Sequence, residues 1–310
     1  MPTLKEIKGR INSVKSTLKI TSAMKLVSSA KLRKAQVAIE AMRPYEQQLF
    51  RILATVSAGR KLPLAPVEAG ESGESAPSAH RVIVAMASNS SLCGGFNAGL
   101  IAKVRSVRQS GDVVYSIGRK MADAMRKDGF PSPEDLSALS EHPAYAPVAG
   151  FVERLMTQQA EGQVSEVLLV YCHFISTARQ EPVVEKLLAG AEGTGADGVV
   201  SGGASSFFFA PSETSQKDSV PSEFTPSVDV IIEPSATELL EALLPKTLKL
   251  KAYAALLDNA ASEHAARTVA MQAATDNGND LLEDLTLQYN KGRQQKITNE
   301  ILDLASGSGQ

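Results

Sequence analysis

Apolar side chains recur every three and four residues near both ends of this 310-residue chain, and that pattern constrains its fold more than any other feature. Toward the start, Leu4, Ile7, Ile11, Val14 and Leu18 keep one stripe facing a partner helix. The stripe resumes at Ala35, Ala38, Met42, Tyr45, Leu49, Ile52 and Val56. Ile20, Met24 and Val27 are the expected apolar anchors of the intervening "KITSAMKLVSSAKLRKA". A helix over 4–57 would measure roughly 80 Å, longer than a globular domain is wide. Pro44 should bend it or loosen its hydrogen bonding. Toward the end, Leu257, Ala261, His264, Thr268, Met271, Thr275, Gly278, Leu282, Leu285 and Tyr289 make a second track, with alanines between them that allow close helix approach. The tracks predict an antiparallel coiled coil of the two termini, with the intervening chain mounted on it.

That intervening chain changes character. Residues 58–80 carry the Gly, Pro and Ser of a linker. Beyond it the strand-like "RVIVAMAS", "DVVYSIG" and "VSEVLLVYCHFI" alternate with the helical "SLCGGFNAGLIAKVRSVRQSG", "RKMADAMRKDG" and "FVERLMTQQAEG". Strands alternating with helices predict parallel pairing and a Rossmann-like α/β domain. A further strand is expected at "VDVIIEP". Residues 189–227 interrupt the order with Gly, Ser and Pro and read as a long mobile insertion. Its Phe207, Phe208 and Phe209 fit packing back on the domain better than a docking patch. After Pro234, Ser235 and Glu238 form a capping box. The expected organisation is α/β: a shaft helix over 1–57, a linker at 58–80, an α/β domain over 81–234 and a second shaft helix over 235–310.

Several function classes are disfavoured. No stretch approaches the ~20 apolar residues that cross a bilayer, and the first residues lack the apolar core of a secretory signal. A soluble protein that stays inside the cell is expected. Residues 1–34 are basic and Ser-rich, like a transit peptide, but the pattern runs on without a break into the long helix. Cys93 and Cys172 lie in or beside apolar runs without metal-ligand spacing, so both should be buried free thiols. His80, His142, His173 and His264 are dispersed, suggesting neither a metal site nor a catalytic triad. His264 should be a satisfied interhelical histidine. Gly94, Gly95 and Gly99 follow a strand where a dinucleotide loop would sit, yet they do not make GxGxxG and no acidic residue ends the next strand. A tight β-to-α turn explains Gly94 and Gly95 better. No cofactor, metal or catalytic residue is expected.

Two polar stretches remain. The formal charge of −2 conceals a cluster of cations near the start, including Lys19, Lys25, Lys31, Arg33 and Lys34. Nucleic-acid binding would call for aromatic residues among them, leaving a solvated helix face or an acidic protein partner. The closing helix carries Asn290, Arg293, Gln294, Gln295, Thr298, Asn299 and Glu300 around its surface. Such density suits a tip surrounded by other protein, and Ile297, Ile301 and Leu304 continue at helical spacing beyond what a frayed end needs.

These residues carry a resemblance. "RINSVKSTLKITSAMKLVSSAKLRKAQ", "SLCGGFN" and "SEHAARTVAMQAATDNGNDLLEDLTLQYNKGRQQKITNEI" resemble the N-terminal, middle and C-terminal motifs of the gamma subunits of bacterial F-type ATP synthases. The resemblance implies a rotor without a catalytic site. Its coiled coil would enter a ring of alpha and beta subunits, and its α/β foot, with the epsilon subunit, would seat on a membrane ring of c subunits. Proton flow would turn it while ATP forms on beta, at the cytoplasmic side of an inner membrane. By the same resemblance Met24 faces an acidic beta loop, with Lys25, Lys31, Arg33 and Lys34 as its electrostatic partners. Arg267, Arg293, Gln294, Thr298 and Glu300 match positions that hydrogen-bond ring loops, and Ile301 and Leu304 match the apolar bearing. Ser91 replaces a customary Gly, so that position should not need positive φ. Gly292 and Lys296 replace Ala and Ser, so tip stiffness and charge should differ. A coiled-coil scaffold and a nucleotide-binding α/β protein are the alternatives.

Overall fold

The computed structural model describes residues 3–57, 79–188, 233 and 235–307. Linker positions 58–78, the insertion 189–227 with its phenylalanines and, except for Glu233, the expected strand "VDVIIEP" lie outside the described residues.

A single helix, α1 (Leu4–Ser57), opens the chain. A reciprocal capping box starts it: Thr3 N–H donates to Glu6 Oε2 at 2.8 Å and Glu6 N–H to Thr3 Oγ1 at 3.3 Å. The closing helix, α6 (Ala236–Gly307), shows one half of the same motif, with Glu238 N–H donating to Ser235 Oγ at 3.2 Å. Pro44 and Pro245 both lie inside helices that continue past them.

Between them come β1 (His80–Met86), α2 (Phe96–Val107), β2 (Val113–Ile117), α3 (Arg119–Lys127), α4 (Ser137–Glu141), α5 (Tyr145–Ala160), β3 (Val164–Phe174) and β4 (Gln180–Leu188). The four-stranded sheet has the order β2-β1-β3-β4. The parallel expectation holds for β1 with β2 and with β3, whereas β4 joins β3 antiparallel. Pro182, Glu181, Glu185 and Lys186 dilute the strand pattern of "QEPVVEKLL", and an edge position tolerates them.

Alternation along β1 divides the core. Val82, Val84 and Met86 face α4, α5 and the stretch of α6 from Leu248 to Leu256, while Ile83, Ala85 and Ala87 face α2 and α3. Each fully buried Leu, Val or Met here adds about 1.5–3 kcal/mol of apolar burial. Cys93 and Cys172 are free and buried in the second of these clusters.

The two long helices pack antiparallel. Leu4 lies against Gly292, Leu18 against Gly278, and Thr21 against Thr275. The stripe on α1 differs from its expected course. Ile20 and Val27 are 60% and 57% exposed, and Tyr45 and Ile52 also point outward. Continuing the three-four count from Leu18 gives Thr21, Lys25, Ser28, Leu32, Ala35, Ile39, Met42, Glu46, Leu49, Leu53 and Val56, all buried or half-buried. The frame never breaks. Small and polar residues occupy it midway, where Thr21 meets Thr275, while Gly278 one turn along α6 makes room for the bulkier Leu18.

Candidate functional site

The α/β domain is fastened to one side of the paired helices by directional bonds from α6 to β3 and β4. Asn259 Oδ1 accepts from Cys172 N–H at 3.1 Å, and Ser262 Oγ donates to the Cys172 carbonyl at 2.9 Å. Asp258 Oδ1 accepts from Phe174 N–H at 3.1 Å, and Lys251 Nζ donates to the Lys186 carbonyl at 3.1 Å. Sliding or turning α6 against the sheet would break several partly or fully buried hydrogen bonds together. Burial also pushes the Cys172 thiol up to about 12, so it stays protonated and unreactive at this seam.

The glycine turn is filled by the chain's own groups. Asn97 Oδ1 accepts from Ser88 N–H at 3.1 Å, and its Nδ2 donates to Ser88 Oγ at 2.8 Å and to Cys93 Sγ at 3.1 Å. Gly94 has φ +58, as a tight β-to-α turn requires, and Leu92 beside it has φ +69 while Ser91 does not need positive φ. The interior void by this sheet, lined by Val84, Met86, Phe151, Leu169 and Leu256 among others, measures about 10 Å³ and is apolar. It admits no nucleotide. Among the described residues no His, Cys, Asp or Glu group is arranged to hold a metal ion.

The residues expected to meet partners fall into three settings. Met24 and Lys25 are half-buried beside the coiled-coil seam, while Lys31, Arg33 and Lys34 are exposed on α1. Lys25, Arg33 and Lys34 form no ion pair among the described residues, whereas Lys31 lies within electrostatic reach of Glu263 and His264. At the far end, Gly292 of α6 packs on Leu4, the first residue of α1. From there α6 runs on past the start of α1 to Gly307, over roughly 20 Å. Arg293, Gln294, Thr298, Glu300 and Ile301 all lie on it and are exposed; Leu304 is in the same helix, its side chain outside the described residues. Thr298 Oγ1 donates to the Gln294 carbonyl one turn back, and Lys296 pairs with Glu300 at 3.6 Å in open solvent.

Arg267 stands apart from that group. It is 9% exposed, and its guanidinium donates to Glu263 Oε1 at 2.7 Å and to Ser90 Oγ at 2.9 Å, with longer contacts to the Ser90 and Ser91 carbonyls. It therefore clamps the β1–α2 turn onto α6. Glu263 is 6% exposed, and burial raises its carboxyl above the usual range despite the opposing Arg267. His264 departs from expectation: its Nδ1 is buried without a hydrogen-bond partner. Desolvation, with Lys31 and Arg267 nearby, lowers its pKa to about 4, so the ring is neutral.

Sequence reasoning missed Asn97, which orders the turn around Leu92, Asn89, which ties the end of β1 to the starts of α3 and α4 through Arg119 N–H and the Ser137 carbonyl, and the interior roles of Thr21, Ser28 and Glu46. The unbroken three-four count was the signal for the last three.

A stiff paired-helix rod with an α/β domain fastened to its flank and a lone polar helix at its tip defines a shaft protein, one that acts through the surfaces it presents. A family model described as ATP synthase matches residues 3–309. The ATP synthase gamma chain of Bacteroides thetaiotaomicron is 43% identical over 318 residues, covering 100% of both chains. That of Pelotomaculum thermopropionicum is 34% identical over 314 residues, with 99% of each chain covered. A chain in the OSCP/F1/c-ring assembly of the Euglena gracilis mitochondrial ATP synthase shares the fold at a TM-score of 0.65 and 19% identity, over 98% of this chain and 93% of that one. A chain of the rotor from the same organism's enzyme gives 0.61 and 18%, over 95% and 98%. The chain belongs to the ATP synthase gamma chain family.

Proposed function

We propose that this chain is the rotating central-stalk subunit of a proton-translocating ATP synthase. It carries no catalytic site and couples c-ring rotation to ATP synthesis and hydrolysis on the beta subunits. Helices over 1–57 and 235–310 form the shaft, 58–80 the linker, and 81–234 the foot, which meets the epsilon subunit and the c-ring. Association with the membrane runs through the complex, since no helix among the described residues is long and apolar enough to cross one. Its place is the cytoplasmic side of a bacterial inner membrane.

The observation that carries this reading is the end of α6 beyond Gly292, whose polar contact groups are exposed around the helix among the described residues. Arg293, Gln294, Thr298 and Glu300 make and break hydrogen bonds with the alpha/beta ring as the tip turns, and Ile301 and Leu304 run against its apolar bearing. Lower down, Met24, Lys25, Lys31, Arg33 and Lys34 face the acidic loop of a beta subunit, where unpaired cations steer and set register. Arg267 serves the same contact indirectly, by fixing the turn that carries the exposed Leu92. Torque then passes through the bonds between β3 and α6.

The test is Met24→Lys in the assembled enzyme, with proton pumping per ATP hydrolysed measured in reconstituted vesicles. A lowered ratio is expected, and an unchanged ratio overturns the assignment of this face. Co-purification from membranes with alpha and beta subunits checks the assembly itself.

A further inference from the structure

Strand β3 outlasts its neighbour. The parallel ladder with β1 closes where Ala85 stands opposite Val170, and β1 ends at Met86, while β3 runs on to Phe174. On its other side β3 keeps β4 through this stretch, from Tyr171 opposite Val183 to Phe174 opposite Gln180. Alternate residues of a strand turn their N–H and C=O to the same edge. Pro182, which has no N–H, stands opposite Cys172 and marks a pair that exchanges no ladder bonds. The polar groups of Cys172 and Phe174 therefore turn to the side that β1 has vacated, and buried groups there need partners.

Helix α6 supplies them. Asn259 Oδ1 accepts from Cys172 N–H at 3.1 Å, and Ser262 Oγ donates to the Cys172 carbonyl at 2.9 Å. Asp258 Oδ1 accepts from Phe174 N–H at 3.1 Å, while its Oδ2 meets the His173 ring. An acceptor, a donor and an acceptor thus fall where a further strand would place a carbonyl, an amide and a carbonyl.

The other links between foot and shaft are softer in torsion. Below this point Leu248, Ala252, Ala255 and Leu256 pack on the foot, and apolar burial is non-directional. Lys249 and Lys251 reach Glu153 and Glu185, and Arg267 reaches Ser90, through long side chains with many rotamers. Helix α1 shares an apolar cluster with the foot, where Leu32, Ala35 and Ile39 pack with Ala261, Ala265 and Phe174. Asp, Asn and Ser are short, so turning α6 against the sheet strains their bonds at once. We infer, given that the chain is the rotor proposed above, that Asp258, Asn259 and Ser262 serve as a substitute strand. This joint sets the torsional stiffness between foot and shaft, with α6 leading and α1 following.

Single-molecule rotation of the assembled enzyme measures that stiffness. The alpha/beta ring is fixed to a surface and a bead is attached through K127C on α3, Cys93 and Cys172 being buried. The angular spread of the bead is recorded while the shaft pauses for ATP. D258A and N259A should each broaden that spread. D258N keeps an oxygen for the Phe174 amide and should restore the wild-type width. I39A trims the α1 side of the apolar cluster and should leave the width unchanged. Hydrogen exchange on the same complexes should show Phe174 losing about two- to tenfold in protection in D258A, and Cys172 as much in N259A, the equivalent of one net hydrogen bond. Unchanged exchange at Val82–Met86 confirms that the foot is folded. Unchanged width in D258A and N259A, a D258N as broad as D258A, or equal broadening in I39A overturns the inference. A wild-type complex whose bead does not rotate would overturn the rotor reading itself.

Discussion

Thr275 donates a hydrogen bond to Thr21 Oγ1 at 3.0 Å across the middle of the coiled coil, and one turn of α1 away Leu18 presses on Gly278. A polar pair inside a seam otherwise built on packing favours this register, because a slipped pairing would lose the bond and leave each hydroxyl only the carbonyl of its own helix, Leu18 for Thr21 and Met271 for Thr275. Replacing either threonine by Val should lower stability by about 1 kcal/mol, and replacing both should recover much of that loss. Urea unfolding of the full chain measures it, and additive single losses would show the two hydroxyls to be uncoupled.

Gly278 allows the approach that makes this bond. A Cβ there would stand 2.7 Å from Leu18 Cδ2, the free end of a flexible side chain. Gly278→Ala should be close to neutral, since the shift of Leu18 offsets a helix-propensity gain of about 1 kcal/mol. Gly278→Leu cannot be absorbed in this way and should cost about 1–3 kcal/mol. Thermal unfolding of the two variants separates these outcomes.

The seam also shows what was legible in the sequence. Counting apolar residues found both helices and their antiparallel pairing. It lost the frame between Leu18 and Leu32, because Thr21, Lys25 and Ser28 are interior for reasons of size and register that hydrophobicity does not record. The same rule misplaced Tyr45 and Ile52 and passed over Glu46. β4 escaped because an edge strand bonded along one side can carry Pro182 and three charged residues. At the tip, the exposed polar set was readable because helix periodicity alone places it. The burial of Arg267 was not, since its partners Ser90 and Ser91 are distant in sequence.

Arg267→Ala would leave Glu263 buried without its cation. The expected loss is about 3–5 kcal/mol, together with release of the turn bearing Leu92. Glu263 is already raised by burial, so its protonated form is favoured in the folded state and the loss should deepen as pH rises through the folded value. Arg267→Ala with Glu263→Gln should recover part of the stability without the pH dependence. Denaturation at pH 5 and 8 compares the variants, and equal loss at both would show that the buried carboxylate is not the cause.

The triple variant Arg293→Ala, Gln294→Ala and Thr298→Ala tests the tip. These side chains are exposed and clear of α1, so the unfolding midpoint of the isolated chain should move by the equivalent of less than about 0.5 kcal/mol. ATP synthesis by the assembled enzyme should fall several-fold. A stability loss matching the activity loss would mean that the tip supports the fold instead.

His264 makes the coiled coil sensitive to acid. Its Nδ1 has no hydrogen-bond partner, and desolvation, followed by Lys31 and Arg267, depresses its pKa to about 4. A base depressed on folding contributes stability above its unfolded pKa, near 6.5, and loses that contribution as pH falls through the folded value. Between those limits the unfolded chain takes up a proton that the folded one refuses, so acid weakens the coil at this level. Discounted for partial exposure, the effect is on the order of 2 kcal/mol. His264→Leu removes both the unpaired nitrogen and the titration, next to the buried Leu32, Ala261 and Ala265. Stability measured from pH 7 to pH 4 should fall less steeply in this variant than in wild type, and parallel curves would place the acid sensitivity in other groups.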